Sequence, residues 1–226
     1  MLKTIKRYLN MSKKKIYVVG TATNYACWIE NSQLTYNMDE ADIVLFTGGS
    51  DVDPSFYGRE KDPSTYSNIV RDREEKREFD RAIELKVPLI LGICRGLQYI
   101  NIMHGGIMIQ DVTHHAMGAT HGMTNGEELY EINSLHHQMV YPYNIKDYKY
   151  DILYWSDPPR SHHYHGITHE ELNELECEPE VVLYHTNEHT KCLGIQGHPE
   201  MLHWRDQYHP TLDMLNKLVN KYLYVK

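Results

Sequence analysis

The chain has 226 residues, of which 41% are hydrophobic and 24% are charged, a composition typical of a folded globular domain. This length is enough for one well-buried core, so we expect a single domain. The formal net charge of -8 argues against a generic polyanion-binding surface, so nucleic acid is not expected as a partner. The sequence has no apolar run of about 18 residues, so no membrane-spanning segment is expected.

Two further features bear on cellular context. Residues 1–15 are basic but have neither the apolar core nor the small-residue cleavage site of a secretory signal. We therefore expect a flexible N-terminal leader followed by one domain over residues 16–226. The cysteines lack paired spacing, which argues against a disulfide framework or a cysteine zinc site, and we expect a cytoplasmic protein. They are Cys27, Cys94, Cys177 and Cys192.

Apolar runs and amphipathic segments alternate in the first half of the chain. Residues 16–20 and 41–46 are short, apolar and rich in β-branched side chains, which predicts buried parallel strands. Residues 71–86 carry apolar positions at helical spacing among many charges, and Pro88 ends this predicted helix. A third apolar run, residues 89–93, follows. The alternation favours an α/β fold with a mainly parallel sheet covered on both faces.

The second half lacks this alternation. Residues 152–155, 181–184 and 192–196 have the pattern of strands with no long helix between them, which predicts a mixed or antiparallel extension of the sheet. The polar residues 156–180 form a predicted loop, and loops of this length in a compact domain are usually functional or disordered. Residues 211–223 are amphipathic and predict a closing helix.

The main candidate for a reactive side chain is Cys94. It follows the strand 89–93 directly, lies between Gly92 and Gly96, and precedes a segment with helical spacing. A sharp turn from strand to helix needs small neighbours on both sides of a nucleophile, and a helix N-terminus favours the thiolate over the thiol. The pattern therefore predicts a nucleophilic cysteine. The alternative is a buried cysteine that packs as a small hydrophobic residue.

A cysteine nucleophile needs a base, and the base needs a group that orients it. His198, Pro199 and Glu200 follow the last predicted strand and supply an imidazole and a carboxylate. We therefore predict His198 as the base and Glu200 as its orienting partner. A His-Pro-Glu sequence alone would fit a surface loop, so this prediction depends on the turn at Cys94.

Four motifs, taken in chain order, resemble those of the class I glutamine amidotransferase superfamily. Residues 92–98, 133–138 and 194–200 read Gly-Ile-Cys-Arg-Gly-Leu-Gln, Asn-Ser-Leu-His-His-Gln and Gly-Ile-Gln-Gly-His-Pro-Glu. The middle one, together with Thr-Gly-Gly-Ser-Asp-Val-Asp-Pro at residues 47–54, is most similar to the stand-alone branch that includes gamma-glutamyl-gamma-aminobutyrate hydrolase. A chance match of four motifs in the right order is not expected.

The resemblance implies a flavodoxin-like α/β core with three layers and a mechanism through a gamma-glutamyl thioester. On this chain it makes Cys94 the nucleophile, His198 the acid and base, and Glu200 the group that holds the imidazole tautomer. It also implies that the backbone N–H groups of Gly49 and Arg95 form the oxyanion hole. It implies no cofactor.

The resemblance also implies a small-molecule substrate, either a gamma-glutamyl amide or glutamine. The amino-acid end of this substrate would contact Gln98. It would also contact the backbone of Ser134, Leu135 and His136. Asp51 and Asp53 are similar to acidic positions near the site in the stand-alone branch. An aspartate before Pro54 also commonly starts a turn, so both roles stay open for these two residues.

Three features depart from the family pattern. Gly197 stands where the family usually has a bulky residue, which predicts a larger or looser wall beside His198. Few residues separate the first strand from Gly48 and Gly49, so we expect the first helix to be short or missing. Residues 156–180 form an insertion that could flank the pocket of the leaving group.

The insertion also carries a cluster of histidines at His162, His163, His165 and His169. Imidazoles can bind zinc where the geometry allows it. In a chain with 15 histidines, and without regular ligand spacing, we expect a solvated loop and no metal site.

Three functions remain compatible with the sequence. We favour a stand-alone hydrolase that splits a gamma-glutamyl amide into glutamate and an amine, because the motifs at residues 47–54 and 133–138 resemble that branch. The second is a glutaminase subunit that delivers ammonia to a synthetase on another chain. The third is a binding or scaffold protein without catalysis, which the joint presence of nucleophile, base and orienting carboxylate disfavours. The leaving amine is read by loops and is not identified by the sequence.

Overall fold

The computed structural model describes residues 12–224. Residues 1–11, most of the predicted leader, lie outside this range. The first strand begins at Lys14, so it includes two residues that the sequence assigned to the leader. In the described part of the chain, no helix has both the length and the apolar character needed to cross a membrane.

Nine of the thirteen strands among the described residues form one sheet. In chain order the strands are β1 (Lys14–Val18), β2 (Ser32–Leu34), β3 (Ile43–Phe46), β4 (Leu89–Ile93), β5 (Ile107–Ile109), β6 (Asp111–Val112), β7 (Thr120–Thr124), β8 (Leu129–Asn133), β9 (Met139–Tyr141), β10 (Lys149–Ser156), β11 (Tyr164–His165), β12 (Pro179–His185) and β13 (Lys191–Ile195). The sheet order is β2-β1-β3-β4-β13-β12-β10-β7-β8, and the other strands form the pairs β5 with β9 and β6 with β11.

The sheet has a parallel half and an antiparallel half. Strands β2, β1, β3, β4 and β13 run parallel, and β12, β10, β7 and β8 continue the sheet in antiparallel pairs. All residues of β3 and β4 are buried, because both faces of these strands are covered. The predicted parallel core and mixed extension are confirmed.

Helices cover both faces of the sheet. On one face, Val44, Phe46 and Ile90 pack with residues of the two helices α1 and α2, and on the other, Leu45 and Leu91 pack with residues of α4 and α5. Alternate residues of a strand point to opposite faces, so the predicted three-layer, flavodoxin-like architecture is confirmed. The α-helices of the described residues are α1 (Ile69–Glu84), α2 (Arg95–Met103), α3 (His169–Glu174), α4 (Pro199–Arg205) and α5 (Pro210–Tyr224).

A short 3₁₀ turn, Thr23–Ala26, and the edge strand β2 stand in place of a long first helix. Trp28 follows the turn and is buried in the same apolar cluster as residues of α5. The Asn216 side chain of α5 holds this segment, since it accepts from the Glu30 N–H (2.9 Å) and donates to the Trp28 carbonyl (3.0 Å). The predicted shortening of this region is confirmed.

Residues 156–180, predicted as a loop, contain β11 and α3. Helix α3 begins with a capping box, in which the Thr168 hydroxyl accepts from the Glu171 N–H (3.2 Å) and the Glu171 carboxylate accepts from the Thr168 N–H (2.8 Å). Glu171 also pairs with Arg59, and Glu178 is buried. The segment is therefore folded onto the rest of the domain.

Replacing Asn216 tests how the C-terminal helix is attached. Asn216→Ala should lower the free energy of unfolding by about 2 kcal/mol, because it leaves the Glu30 N–H and the Trp28 carbonyl without their partner. Lys217→Ala removes an exposed pair with Asp213 and should leave that free energy nearly unchanged. Urea unfolding followed by circular dichroism measures both, and equal effects would contradict this role for Asn216.

Candidate active site

Cys94 occupies a strained turn between β4 and α2. Its backbone has φ of 54°, a left-handed conformation that residues other than glycine rarely adopt. A Cβ atom on Gly96 would clash with the Phe46 carbonyl, and one on Gly92 would clash with the Gly96 backbone. The two glycines therefore allow the turn, as the sequence predicts.

The thiol of Cys94 is nearly enclosed, with the residue 7% exposed. It lies at the N-cap of α2, where the first N–H groups of the helix have no acceptor within the helix. These N–H groups stabilise negative charge on the sulfur. Gln196 Nε2 approaches Sγ to 3.9 Å, and the side chain of Cys94 interacts electrostatically with the imidazole of His198.

His198 and Glu200 lie at the start of α4. His198 is the N-cap residue, Pro199 is the first helical residue, and Glu200 lies in the first turn. His198 Nδ1 is 2.7 Å from Glu200 Oε1, and both side chains are buried. Because a carboxylate only accepts hydrogen bonds, this contact places a proton on Nδ1 and leaves Nε2 for the thiol of Cys94.

Asn133 fixes the backbone that carries His198. Its Oδ1 accepts from the His198 N–H (2.6 Å), and its Nδ2 donates to the His198 carbonyl (3.0 Å). Asn133 is the last residue of β8, so this contact joins the end of the antiparallel half of the sheet to the start of α4. The sequence showed Asn133 only as the first residue of a motif and gave no signal for this contact.

The protonation of His198 is set by its two neighbours. Burial by itself lowers the pKa of His198, but hydrogen bonds and charge interactions with Cys94 and Glu200 outweigh it and raise the pKa from 6.5 to about 10. At neutral pH the imidazole is therefore a cation beside the carboxylate of Glu200. The stability that this arrangement contributes is complete below pH 6.5 and is lost as the pH rises through about 10.

Tyr25 forms a wall of the site that the sequence did not predict. Its ring centroid lies 5.9 Å from that of His198, and a Cβ atom on Gly48 would lie 2.8 Å from the Tyr25 hydroxyl and 3.1 Å from His198 Cε1. Burial, followed by the charges of Glu200 and Cys94, raises the pKa of Tyr25 to about 12, so the phenol is a neutral donor. Tyr25 lies in the 3₁₀ turn, where no motif indicated a function.

Arg71 holds the turn that contains Gly49. Its guanidinium donates to the carbonyls of Gly48 (3.0 Å) and Thr47 (3.3 Å), and Gly49 has φ of 140°, a conformation that favours glycine. The C=O and N–H of a planar trans peptide point in opposite directions. Because Arg71 holds the Gly48 carbonyl, the Gly49 N–H points away from Arg71.

Helix α1 links this turn to the nucleophile. Arg71 Nε donates to Glu75 Oε1 (2.7 Å), while Glu75 Oε2 and Asp72 both bind the buried guanidinium of Arg95. Arg95 follows Cys94 directly. Helix α1 thus binds the Gly48 carbonyl and the Arg95 side chain, next to both N–H groups that the sequence predicts as oxyanion donors. Arg71, Asp72 and Glu75 gave no sequence signal for this role.

The structure corrects the prediction made for Gly197. A Cβ atom at this position would clash with Ile132 Cγ1 and would lie 2.7 Å from the Asn133 carbonyl. Ile132 and the end of β8 therefore fill the space that a bulky residue would need. The prediction of a larger or looser wall is wrong, because glycine at position 197 accommodates close packing.

The residues predicted to hold the amino-acid end of a substrate are mostly buried. Gln98 donates from Nε2 to the Gln138 carbonyl (3.1 Å). The N–H groups of Ser134 and His136 already donate to the carbonyls of Ala119 (3.0 Å) and His115 (3.3 Å). Leu135 is 40% exposed, so it is the member of this set that presents its surface to solvent. Substrate contact by these four residues stays a prediction.

The side chains of Asp51 and Asp53 stabilise the turn around Pro54 by accepting hydrogen bonds. Asp53 accepts from the Ser55 N–H (3.1 Å) and from the Ser67 hydroxyl (2.7 Å). Asp51 accepts from the Tyr66 N–H (2.7 Å) and lies 3.2 Å from His137 Nε2. These contacts favour the turn role, with Asp51 also joining this turn to the motif that contains His137.

The histidines of the predicted insertion lie on the surface. The side chains concerned are His162, His163, His165 and His169, and all four residues are exposed. The one group of three or more potential metal ligands that converges within residues 12–224 lies elsewhere.

Comparison with known proteins identifies a family. The family model described as peptidase C26 matches residues 4–139, more than half of the chain. The matched range includes Cys94 and ends before His198. The glutamine amidotransferase-like protein YvdE of Lactococcus lactis is 33% identical over 120 residues, which cover 44% of this chain and 50% of that protein. The chain therefore spans about half the length of this relative.

Two solved structures show the same fold over nearly the whole chain. PurLQS from Thermotoga maritima gives a TM-score of 0.57 at 16% identity and covers 94% of this chain and 100% of that one. A GMP synthase subunit protein from Thermoplasma acidophilum gives 0.53 at 15% identity, with coverages of 94% and 100%. With the family match, these findings confirm the resemblance to the class I glutamine amidotransferase superfamily.

The ion pair of His198 with Glu200 predicts how the pKa of His198 changes when the carboxylate is neutralised. Glu200→Gln should lower the pKa of His198, because the variant removes the negative charge that favours the imidazolium. Nitrogen-proton NMR titration of the histidine rings measures this pKa. Glu188→Gln is the control, since Glu188 pairs with the exposed His189. A His198 pKa that is unchanged in Glu200→Gln would contradict this electrostatic account.

Proposed function

The chain belongs to the peptidase C26 family, and from this premise we propose that it is a cysteine-dependent hydrolase that cleaves a gamma-glutamyl amide bond. The observation that carries the proposal is the buried line of Cys94, His198 and Glu200. A thiol at a helix N-terminus, an imidazole in contact with it and a carboxylate on the far imidazole nitrogen form a nucleophile, a base and an orienting group.

The first half of the proposed reaction makes a thioester. The Cys94 thiolate attacks the gamma-carbonyl carbon, a carbon–sulfur bond forms, and negative charge moves to the carbonyl oxygen. The His198 imidazolium then donates its Nε2 proton to the amide nitrogen as the carbon–nitrogen bond breaks. The amine leaves neutral, and the gamma-glutamyl group remains on sulfur.

The second half releases glutamate. Neutral His198 takes a proton from water, and the resulting hydroxide equivalent attacks the thioester carbonyl. The carbon–sulfur bond breaks, and the sulfur leaves as thiolate beside the renewed imidazolium. Glu200 keeps the Nδ1 proton in place throughout, so the same imidazole nitrogen serves in both halves.

The backbone N–H groups of Gly49 and Arg95 are the proposed donors to the oxyanion in both steps. The Arg95 N–H belongs to the first turn of α2 and has no acceptor within the helix. Arg71 orients the Gly48–Gly49 peptide through its carbonyl side. Each donor of this kind typically lowers the barrier by about 3 kcal/mol.

The glutamyl end of the substrate is proposed to lie near Gln98 and the segment Ser134, Leu135 and His136. Asn133 attaches this segment to His198, so a substrate held there would lie beside the base. The exposure of Leu135 leaves it free to pack against a ligand. The resemblance to the stand-alone branch in the motifs at residues 47–54 and 133–138 favours hydrolysis over ammonia transfer.

A second candidate is a glutaminase that supplies ammonia to a synthetase on another chain. It is favoured by the fold likeness to a protein named as one of the subunits of GMP synthase. The same triad chemistry would serve, with ammonia as the leaving group. Ammonia release that depends on an added partner would support this candidate.

A panel of gamma-glutamyl amides that includes free glutamine tests the proposed activity. We expect glutamate release from at least one amide without a partner protein. Cys94→Ala should lower the rate by at least about 1000-fold, because it removes the nucleophile. Cys27→Ala should retain the rate, since Cys27 is exposed outside the triad. Equal loss in both variants, or full activity in Cys94→Ala, would contradict the proposal.

Arg71→Met tests the positioning of the oxyanion turn. It should lower kcat by up to about 100-fold, the cost of misplacing a group by about 1 Å, with a much smaller change in KM. The matched control is Lys76→Met on the same helix, where the lysine pairs with Asp80 on the exposed face. Steady-state kinetics on the amide cleaved fastest measures both, and a change confined to KM would contradict the positioning role.

A further inference from the structure

A second group of titratable side chains lies apart from the proposed triad. His115, His121 and Glu180 are all buried, and one nitrogen or oxygen atom from each lies within 4.8 Å of the others. His115 precedes β7, His121 lies on β7, and Glu180 lies on β12. Three separate parts of the chain therefore bring potential metal ligands to one point in the antiparallel half of the sheet.

The separations of these atoms suit a small cation. His121 Nε2 lies 2.8 Å from Glu180 Oε1, and His115 Nδ1 lies 4.0 Å from the same oxygen. Ligands about 2.0–2.2 Å from a tetrahedral zinc ion lie about 3.3 Å from one another. These two distances fall on either side of this value, and all three atoms lie within 4.8 Å of one another, so shifts of about 1–1.5 Å would complete the geometry.

Glu178 orients His115 toward this point. The Glu178 carboxylate accepts from the backbone N–H groups of Arg160 (2.8 Å) and Ser161 (2.7 Å), and its Oε2 lies 3.1 Å from His115 Nε2. A carboxylate on the far nitrogen places the proton on Nε2 and makes Nδ1 an acceptor, whose lone pair faces the Ser134 hydroxyl here and could bind a metal in its place. A carboxylate behind a ligating histidine is a recurring feature of metal sites.

The charges of the cluster also favour a cation. Glu178 and Glu180 are both buried, and among residues 12–224 their side chains pair with histidines and with no lysine or arginine. Glu180 Oε2 is buried and has no hydrogen-bond partner in the same part of the chain. A buried carboxylate oxygen without a partner is costly, and a bound cation would remove this cost.

We propose that His115, His121 and Glu180 bind one divalent transition-metal ion, with zinc as the ion that best suits two imidazoles and a carboxylate. Binding displaces the proton of the His121–Glu180 hydrogen bond into solvent and puts zinc in its place. The ion joins β7 to β12. The Ser134 hydroxyl, 3.1 Å from His115 Nδ1, borders the site, so the ion also supports the segment that follows β8.

Metal analysis of protein made without a histidine tag in zinc-supplemented medium tests this site. We expect about one zinc per chain and a visible spectrum of tetrahedral Co²⁺ after growth with cobalt. His121→Ala should lose the metal, and Glu178→Gln should weaken binding by about 10- to 100-fold. His163→Ala is the matched control on the exposed insertion, and Cys94→Ala shows that the nucleophile is not a ligand; both should keep the metal.

Three results would overturn the proposal. The first is a wild-type protein that holds no stoichiometric metal after growth with zinc or with cobalt. The second is full retention of the metal by His121→Ala, and the third is loss of the metal in His163→Ala. Should His121→Ala fail to fold, X-ray absorption of the zinc-loaded wild type decides. We expect two imidazole ligands at about 2.0 Å, and a sulfur ligand would exclude the site.

Discussion

The buried guanidinium of Arg95 is the group on which the arrangement of the site depends. Asp72 and Glu75 of α1 bind it from one side, and the side chains of all three residues are at most 4% exposed. Removing one partner of such a pair typically costs about 3–5 kcal/mol, because the other charge stays buried without compensation. Since Arg95 follows Cys94, the ion pairs hold α2 against α1 at the turn that presents the thiol. Arg71 extends the same network to Gly48 and Gly49, so the network supports both sides of the proposed site.

Cys192 and Cys94 lie in different surroundings, and these surroundings decide which thiol can react. Cys192 lies inside the sheet, where burial raises the pKa of its thiol to about 12, and a thiol of that kind is inert at neutral pH. Cys94 instead meets a helix N-terminus and an imidazole whose pKa is raised to about 10. Asn133 binds the backbone N–H of His198, and Glu200 binds the imidazole at Nδ1. The proposed reactivity therefore comes from partners contributed by α2, α4 and β8.

Much of the fold followed from the sequence because its signals are local. Apolar runs predicted β3 and β4, and the glycines beside Cys94 predicted the strained turn. Strand β7 reads Thr-His-Gly-Met-Thr, which lacks a strand pattern, and it forms because β8 and β10 pair with it. The roles of Tyr25 and Arg71 and the meeting of His115 with Glu180 depend on contacts between distant segments. Gly197 was misread for the same reason, since the residue that fills its space is Ile132 of β8.

The central claim is that Cys94 carries the gamma-glutamyl group during turnover. Mixing the protein with an amide that it hydrolyses, quenching in acid within milliseconds and mapping the peptides by mass spectrometry tests this directly. The account predicts a gamma-glutamyl group on the peptide that contains Cys94, at a level that rises and falls with turnover. It also predicts that hydroxylamine, which cleaves thioesters, removes the group. Glutamate release without any modification of that peptide, or with the group on another residue, would contradict it.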